Sequence, residues 1–163
     1  MRMGWETFSD ISGHDAGRLL LARLYREETG SALPEIRVTP QGKPYFSDEK
    51  LHFSISHTAT HVFCCLCDKN VGLDAEPVTR ALSADFAQRF LSETERARFS
   101  AAKEAPEVLL RFFVLKESYA KLSGRGWGNY LKGTDFDPFC ENISVIDGHF
   151  VAILTQEETS HAL

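Results

Sequence analysis

The sequence predicts an α+β protein, with antiparallel sheets packed on long helices. Three observations carry this. Val62-Phe63-Cys64-Cys65-Leu66-Cys67 is a continuous apolar run, and Val71-Gly72-Leu73-Asp74-Ala75-Glu76 alternates; three turn residues separate them. Residues 107–122 keep a helical apolar period over about four turns. Near the C-terminus, residues 143–146 and 150–154 read as short strands flanking Asp147-Gly148, a pair suited to a hairpin turn.

The elements follow in order. Residues 15–29 form a helix on the stripe Leu20 and Leu24, with Leu19, Leu21 and Tyr25 beside it and Gly30 as its stop. A short strand at 36–38 precedes the turn Gln41-Gly42-Lys43-Pro44. Residues 51–56 alternate weakly as a strand that ends over 57–60. Strands 62–67 and 71–76 are expected to pair as a hairpin through Asp68-Lys69-Asn70, and Pro77 ends the second. A short helix at 83–90 follows. Ser92-Glu93-Thr94-Glu95 has the form of a capping box and opens a helix over 93–103. The long helix 107–122 stops at Ser123-Gly124. Gly124-Arg125-Gly126-Trp127-Gly128 follows a helix, whereas a phosphate-cradling loop precedes one, so it reads as a helix terminator and mobile connection.

Composition excludes several classes. The chain has 163 residues, 43% hydrophobic and 25% charged, with a net charge of −5. That suits a folded domain with a real core and gives no broad basic face for nucleic acid. The longest apolar runs are about six residues, too short to span a membrane. Met-Arg-Met-Gly-Trp-Glu has no apolar signal core, so a cytoplasmic location is expected. Cys64 and Cys67 spell C-x-x-C, but residues three apart on a strand face opposite ways, so buried strand cysteines are expected instead of a metal or redox pair.

Three sites carry unusual chemistry. In the strand 71–76, Val71, Leu73 and Ala75 face one way, and Gly72, Asp74 and Glu76 the other. Two carboxylates on one face repel unless a cation sits between them, and hard oxygens beside a glycine suit magnesium held with a phosphate. Alone, the pair reads more readily as an exposed edge strand with two solvated acids. On the long helix, Leu110, Phe113, Val114, Glu117 and Lys121 share a stripe, so Glu117 continues an apolar face and needs a partner. That partner is a metal or Lys121, four residues on, in a simple helix pair that stabilises by about 0.3–0.5 kcal/mol. Ser56, His57 and Thr58 close a strand where their side chains suit a phosphate, or are structural. The sequence holds no G-x-S-x-G, P-loop or H-E-x-x-H motif.

In this order the sites resemble the 4′-phosphopantetheinyl transferases, in particular the larger, surfactin-type class. The matching segments are Gly42-Lys43-Pro44, Ile55-Ser56-His57-Thr58, Gly72-Leu73-Asp74-Ala75-Glu76, Arg89-Phe90-Leu91-Ser92-Glu93-Thr94-Glu95, and Phe113-Val114-Leu115-Lys116-Glu117-Ser118-Tyr119-Ala120-Lys121. The resemblance implies a pseudo-twofold fold of two subdomains, 1–68 abridged and 69–163 carrying the metal site. It implies transfer of phosphopantetheine from coenzyme A to a serine of an acyl- or peptidyl-carrier protein, in fatty acid, polyketide or nonribosomal peptide biosynthesis. Asp74, Glu76 and Glu117 would hold magnesium, and the residues leave open whether manganese substitutes. Glu117 would take the proton of the carrier serine, directly or through a metal-bound water. Lys121 would neutralise the diphosphate. Ser56, His57 and Lys116 would contact the cofactor, and Lys43 and Arg18 its nucleotide end. Relatives dock the carrier near residues 82–113, where Arg80, Arg89, Arg96 and Arg98 would meet an acidic carrier helix or simply form a solvated helix face. Phe113 stands where the motif usually has tryptophan, and Leu19 follows Arg18 where relatives offer a hydroxyl. Residues 1–14 are short for the initial strand and lysine-rich stretch of relatives, so fewer contacts to the 3′-phosphate are expected. A monomer is expected. The alternatives are a non-catalytic coenzyme A- or carrier-binding module, and a metal-dependent phosphohydrolase with water as acceptor.

Overall fold

In the computed structural model, residues 1–103 and 105–156 are described. Chain order is β1 (Arg2–Thr7), α1 (Gly13–Thr29), β2 (Ile36–Val38), β3 (Pro44–Phe46), β4 (His52–His57), β5 (His61–Cys67), β6 (Val71–Pro77), α2 (Ala84–Ala87), α3 (Glu93–Ala101), α4 (Pro106–Ser123), a 3-10 turn (Asn129–Gly133), β7 (Ile143–Ile146) and β8 (His149–Thr155). This is the expected mix of long helices and antiparallel strands. One three-stranded sheet runs β1-β5-β4 and another β6-β8-β7, while β2 and β3 form a separate ribbon.

Alternation along β5 sets the layering. Val62, Cys64 and Leu66 pack on Leu20, Leu21 and Leu24 of α1. Phe63, Cys65 and Cys67 point the other way, into a core with Val71, Leu73 and Ala75 of β6 and Val151 of β8. On the far side, Phe150, Ala152 and Leu154 of β8 meet Phe112, Leu115 and Leu122 of α4. The order of layers is thus α1, sheet, sheet, α4. Each fully buried Phe or Leu in it contributes about 1.5–3 kcal/mol by leaving water. The cysteines are free, with Cys64, Cys65 and Cys67 buried and Cys140 half-buried. Cys64 and Cys67 sit in different cores, as strand alternation requires.

The helix ends follow their sequence signals. Ser12 caps α1 by accepting from the Asp15 amide, and Gly30 closes it at φ 71°. Ser92 and Glu95 form the full capping box of α3. Pro106 opens α4, and Gly124 ends it at φ 67°.

The structure corrects the expected pairing of 62–67 with 71–76. Both edges of β5 are already taken, by β1 and β4. The chain therefore crosses at Asp68-Lys69-Asn70 into the second sheet, where β6 pairs with β8. The edge strands β4 and β6 are still stitched: Ser54 Oγ accepts from the Leu73 amide at 2.9 Å. β1, β3 and the 3-10 turn are elements the sequence did not signal.

Gly72 fixes how α4 lies on β6. A Cβ there would stand 2.0 Å from the Ser118 carbonyl oxygen and 2.5 Å from the Leu122 nitrogen. Ser118 Oγ donates to the Gly72 carbonyl at 2.8 Å. The helix thus rides directly on the strand, which carries Glu117 and Lys121 over the face holding Asp74 and Glu76.

Candidate functional site

A cavity of about 380 Å³ opens where β4, β6 and α4 meet. Ser56, His57, Asp74, Glu76, Arg80, Phe113, Glu117 and Lys121 line it. Asp74 and Glu76 of β6 and Glu117 of α4, distant from them in the chain, therefore face one space. Asp74 is buried at 4% exposure, which rules out the exposed edge-strand reading of that face. Its Oδ1 accepts from Ser56 Oγ and from Lys121 Nζ, both at 2.8 Å. Its Oδ2 is buried without a hydrogen-bond partner.

Lys121 therefore pairs across to the strand, not with Glu117 on its own helix. Glu117 Oε1 instead accepts from the indole Nε1 of Trp127 at 2.5 Å. Burial, and then the Asp74 charge, push the Glu117 carboxyl above the usual glutamate range; the indole bond and Lys121 pull the other way. Burial likewise raises Glu76, while the bond from Arg80 is the strongest opposing influence. Arg80 ion-pairs with Glu76 and lies 4.8 Å from the Phe113 ring centroid.

These donors fit a hard cation. An orphaned buried carboxylate oxygen and two further carboxyls raised partly by mutual repulsion describe a place short of positive charge. Among the described residues, however, no three His, Cys, Asp or Glu side chains are gathered into a ready-made metal centre. Each acid has a protein donor instead: Asp74 has Lys121, Glu76 has Arg80 and Glu117 has Trp127.

The other expected residues scatter. His57 is exposed at the rim and Ser56 is buried within. Lys43 lines a neighbouring, mostly apolar cavity of about 260 Å³ that shares Ile55, Glu117 and Lys121 with the first. Its Nζ is nonetheless engaged by Asn70 Oδ1 at 2.5 Å and the Leu122 carbonyl at 2.9 Å. Arg18 is exposed on α1 and lines neither cavity. Lys116 is corrected: as the helix turns, it points away from both cavities. It is fully buried, 2.7 Å from Glu95 Oε2, and also donates to the Leu131 and Thr134 carbonyls. It has no side open to a cofactor. Arg96 and Arg98 donate to the Leu91 and Phe136 carbonyls.

Trp127 is the site residue that sequence reasoning missed. Its glycine-rich surroundings marked a connection, and helical spacing pointed Glu117 toward Lys121. The one available signal was a tryptophan among glycines just past the end of the helix bearing a semi-buried acid.

The fold and cleft define a class: two packed antiparallel sheets, each backed by a long helix, with an acid-and-lysine cavity at their junction. The family model of the 4′-phosphopantetheinyl transferase superfamily matches residues 70–161, and the chain belongs to that superfamily. It is 32% identical over 92 residues to a 4′-phosphopantetheinyl transferase of Bacillus subtilis, covering 55% of this chain and 41% of that protein. A similar match, 32% over 92 residues, covers 38% of the 4′-phosphopantetheinyl transferase gsp of Aneurinibacillus migulanus and 55% of this chain. The matched stretch thus spans about two fifths of these relatives.

Proposed function

We propose that the protein transfers the 4′-phosphopantetheine arm of coenzyme A to a serine of an apo acyl- or peptidyl-carrier protein. The observation that supports this best is the single cavity shared by Asp74, Glu76, Glu117 and Lys121, with Ser56 and His57 at its other wall. Superfamily membership supports the same reading.

In this reading Lys121, Ser56 and His57 receive the diphosphate. Lys121 has a side chain about a third exposed and tethered to Asp74, so its charge reaches both the acid and an incoming phosphate. The carrier serine oxygen bonds to the β-phosphorus as the bond from that phosphorus to the bridging oxygen breaks. Adenosine 3′,5′-bisphosphate leaves with the electron pair, and Glu117 takes the serine proton. Its raised affinity for protons suits that role. Asp74, Glu76 and Glu117 would hold magnesium, or manganese; when bound, the ion would supply charge neutralisation and alignment of the diphosphate. The remaining catalysis is positioning, which needs no covalent enzyme intermediate.

The test is to incubate the protein with magnesium, coenzyme A and an apo-carrier, and weigh the carrier. A gain of one phosphopantetheine, lost in Asp74→Ala and Glu117→Ala proteins that remain folded, is expected. Coenzyme A binding with no gain on carriers of all three pathways would put the non-catalytic module ahead. Cleavage of coenzyme A without a labelled carrier would indicate a hydrolase. The fold has no helix among the described residues long and apolar enough to cross a membrane.

A further inference from the structure

An acidic side chain beside two others tends to swing away from them into water. Glu117 faces this pressure from Asp74 and Glu76, and its helix neighbour Lys121 is already committed to Asp74. What holds Glu117 is a neutral donor. The Trp127 indole lies on Phe113, ring centroids 5.7 Å apart and planes 30° apart, with Phe90 at 5.8 Å and Phe86 at 6.2 Å. On its packed face this sets the ring plane, while the other face leaves Trp127 42% exposed, and the plane aims Nε1 at Glu117 Oε1, 2.5 Å away. The loop beneath is fixed too: Tyr130 donates its hydroxyl to the Gly126 carbonyl at 2.5 Å. Arg80, over the same Phe113 ring, grips Glu76. One stack of cation and aromatic rings thus ends in a donor to each of two acids.

We propose that Trp127 is a positioning residue: from the neighbouring apolar cavity, its indole N–H holds the Glu117 carboxylate at the wall the two cavities share, leaving Oε2 to meet a cation or an acceptor hydroxyl. A neutral donor does this without cancelling the charge that a base or metal ligand must keep, which a lysine partner would do. The inference rests on the reading that Glu117 serves the transfer reaction.

Trp127→Phe tests it, since the substitution keeps an aromatic ring on Phe113 while removing the donor. The expected result is a fall in kcat of about tenfold or more, the scale of a hydrogen bond to a charged group, with KM for coenzyme A within about twofold. An unchanged kcat, or a rise in KM alone, would overturn the proposal while an inactive Glu117→Ala protein left the transferase reading standing. A second readout needs no turnover. The chain has two tryptophans, so ¹⁵N-labelled protein gives two indole N–H signals, and Trp5→Phe identifies that of Trp127. Glu117→Ala should shift that signal, and so should magnesium alone added to the native protein. A Trp127 signal indifferent to Glu117→Ala would sink the proposal. If the native protein transfers nothing, the transferase reading fails, and this spectrum decides whether the indole holds the acid.

Discussion

At the scale of single residues, the site is a contest over three carboxylates. Asp74 is satisfied on one oxygen and orphaned on the other. Removing Ser56 Oγ withdraws a donor from a buried charge, an interaction of about 1.5–3 kcal/mol. Ser56→Ala should therefore lower the melting temperature by several degrees and also lower the single-turnover transfer rate per folded molecule, by up to roughly 10- to 100-fold. Lys43 gives a second prediction. Burial pushes its ammonium from the ordinary 10.5 down to about 8. As pH falls from about 10.5 to about 8, the unfolded chain takes up this proton before the folded chain does, so folding loses stability through that window and the cost is constant below it. The urea midpoint of the native protein, relative to that of Lys43→Met, should then rise between about pH 8 and about pH 10. The sequence made the acids legible because alternation alone puts Asp74 and Glu76 on one face. It did not reveal their partners. Spacing sees only neighbours along one element, whereas Lys121 reaches across to β6 and Trp127 folds back from beyond the helix.

At the scale of elements, α4 against β6 is the contact that builds the cavity. Gly72 permits it, because any Cβ would collide with backbone atoms of α4 and not with a side chain free to move. Gly72→Ala should destabilise the fold by about 1–3 kcal/mol or more and should also depress transfer per folded molecule, since the helix that moves away takes Glu117 with it. Denaturant unfolding beside activity corrected for folded fraction separates the two effects. Helix ends were the most readable feature: the Ser92–Glu95 box, Gly30 and Gly124 all perform as local chemistry requires. Strand pairing was less readable. Two good strands three residues apart look like a hairpin, but β5 is a central strand with both edges filled. β1 escaped notice because its residues are mostly exposed, so the Arg-Met-Gly-Trp-Glu-Thr segment carries no burial pattern.

At the scale of the whole molecule, stability and chemistry occupy different sides of α4. Glu95 and Lys116 form an ion pair with both side chains at 0% exposure. Glu95 also receives the Ser92 and Phe136 amides, so the pair ties α3, α4 and the segment after the 3-10 turn together. Truncating one partner strands a buried charge. Lys116→Met should cost about 3–5 kcal/mol in unfolding free energy, with KM for coenzyme A unchanged in whatever fraction stays folded. A selective loss of cofactor affinity would instead restore Lys116 to the binding role its motif position suggests. The layering has one more consequence. All three acids and Lys121 lie within residues 70–161, whereas Ser56 and His57 come from β4. A fragment cut at the β5–β6 crossover would keep every carboxylate yet bare Val71, Leu73, Ala75 and Val151 to water. Such a half would seek a twin to shield that greasy flank, and its aspartate would have lost the hydroxyl that steadies it.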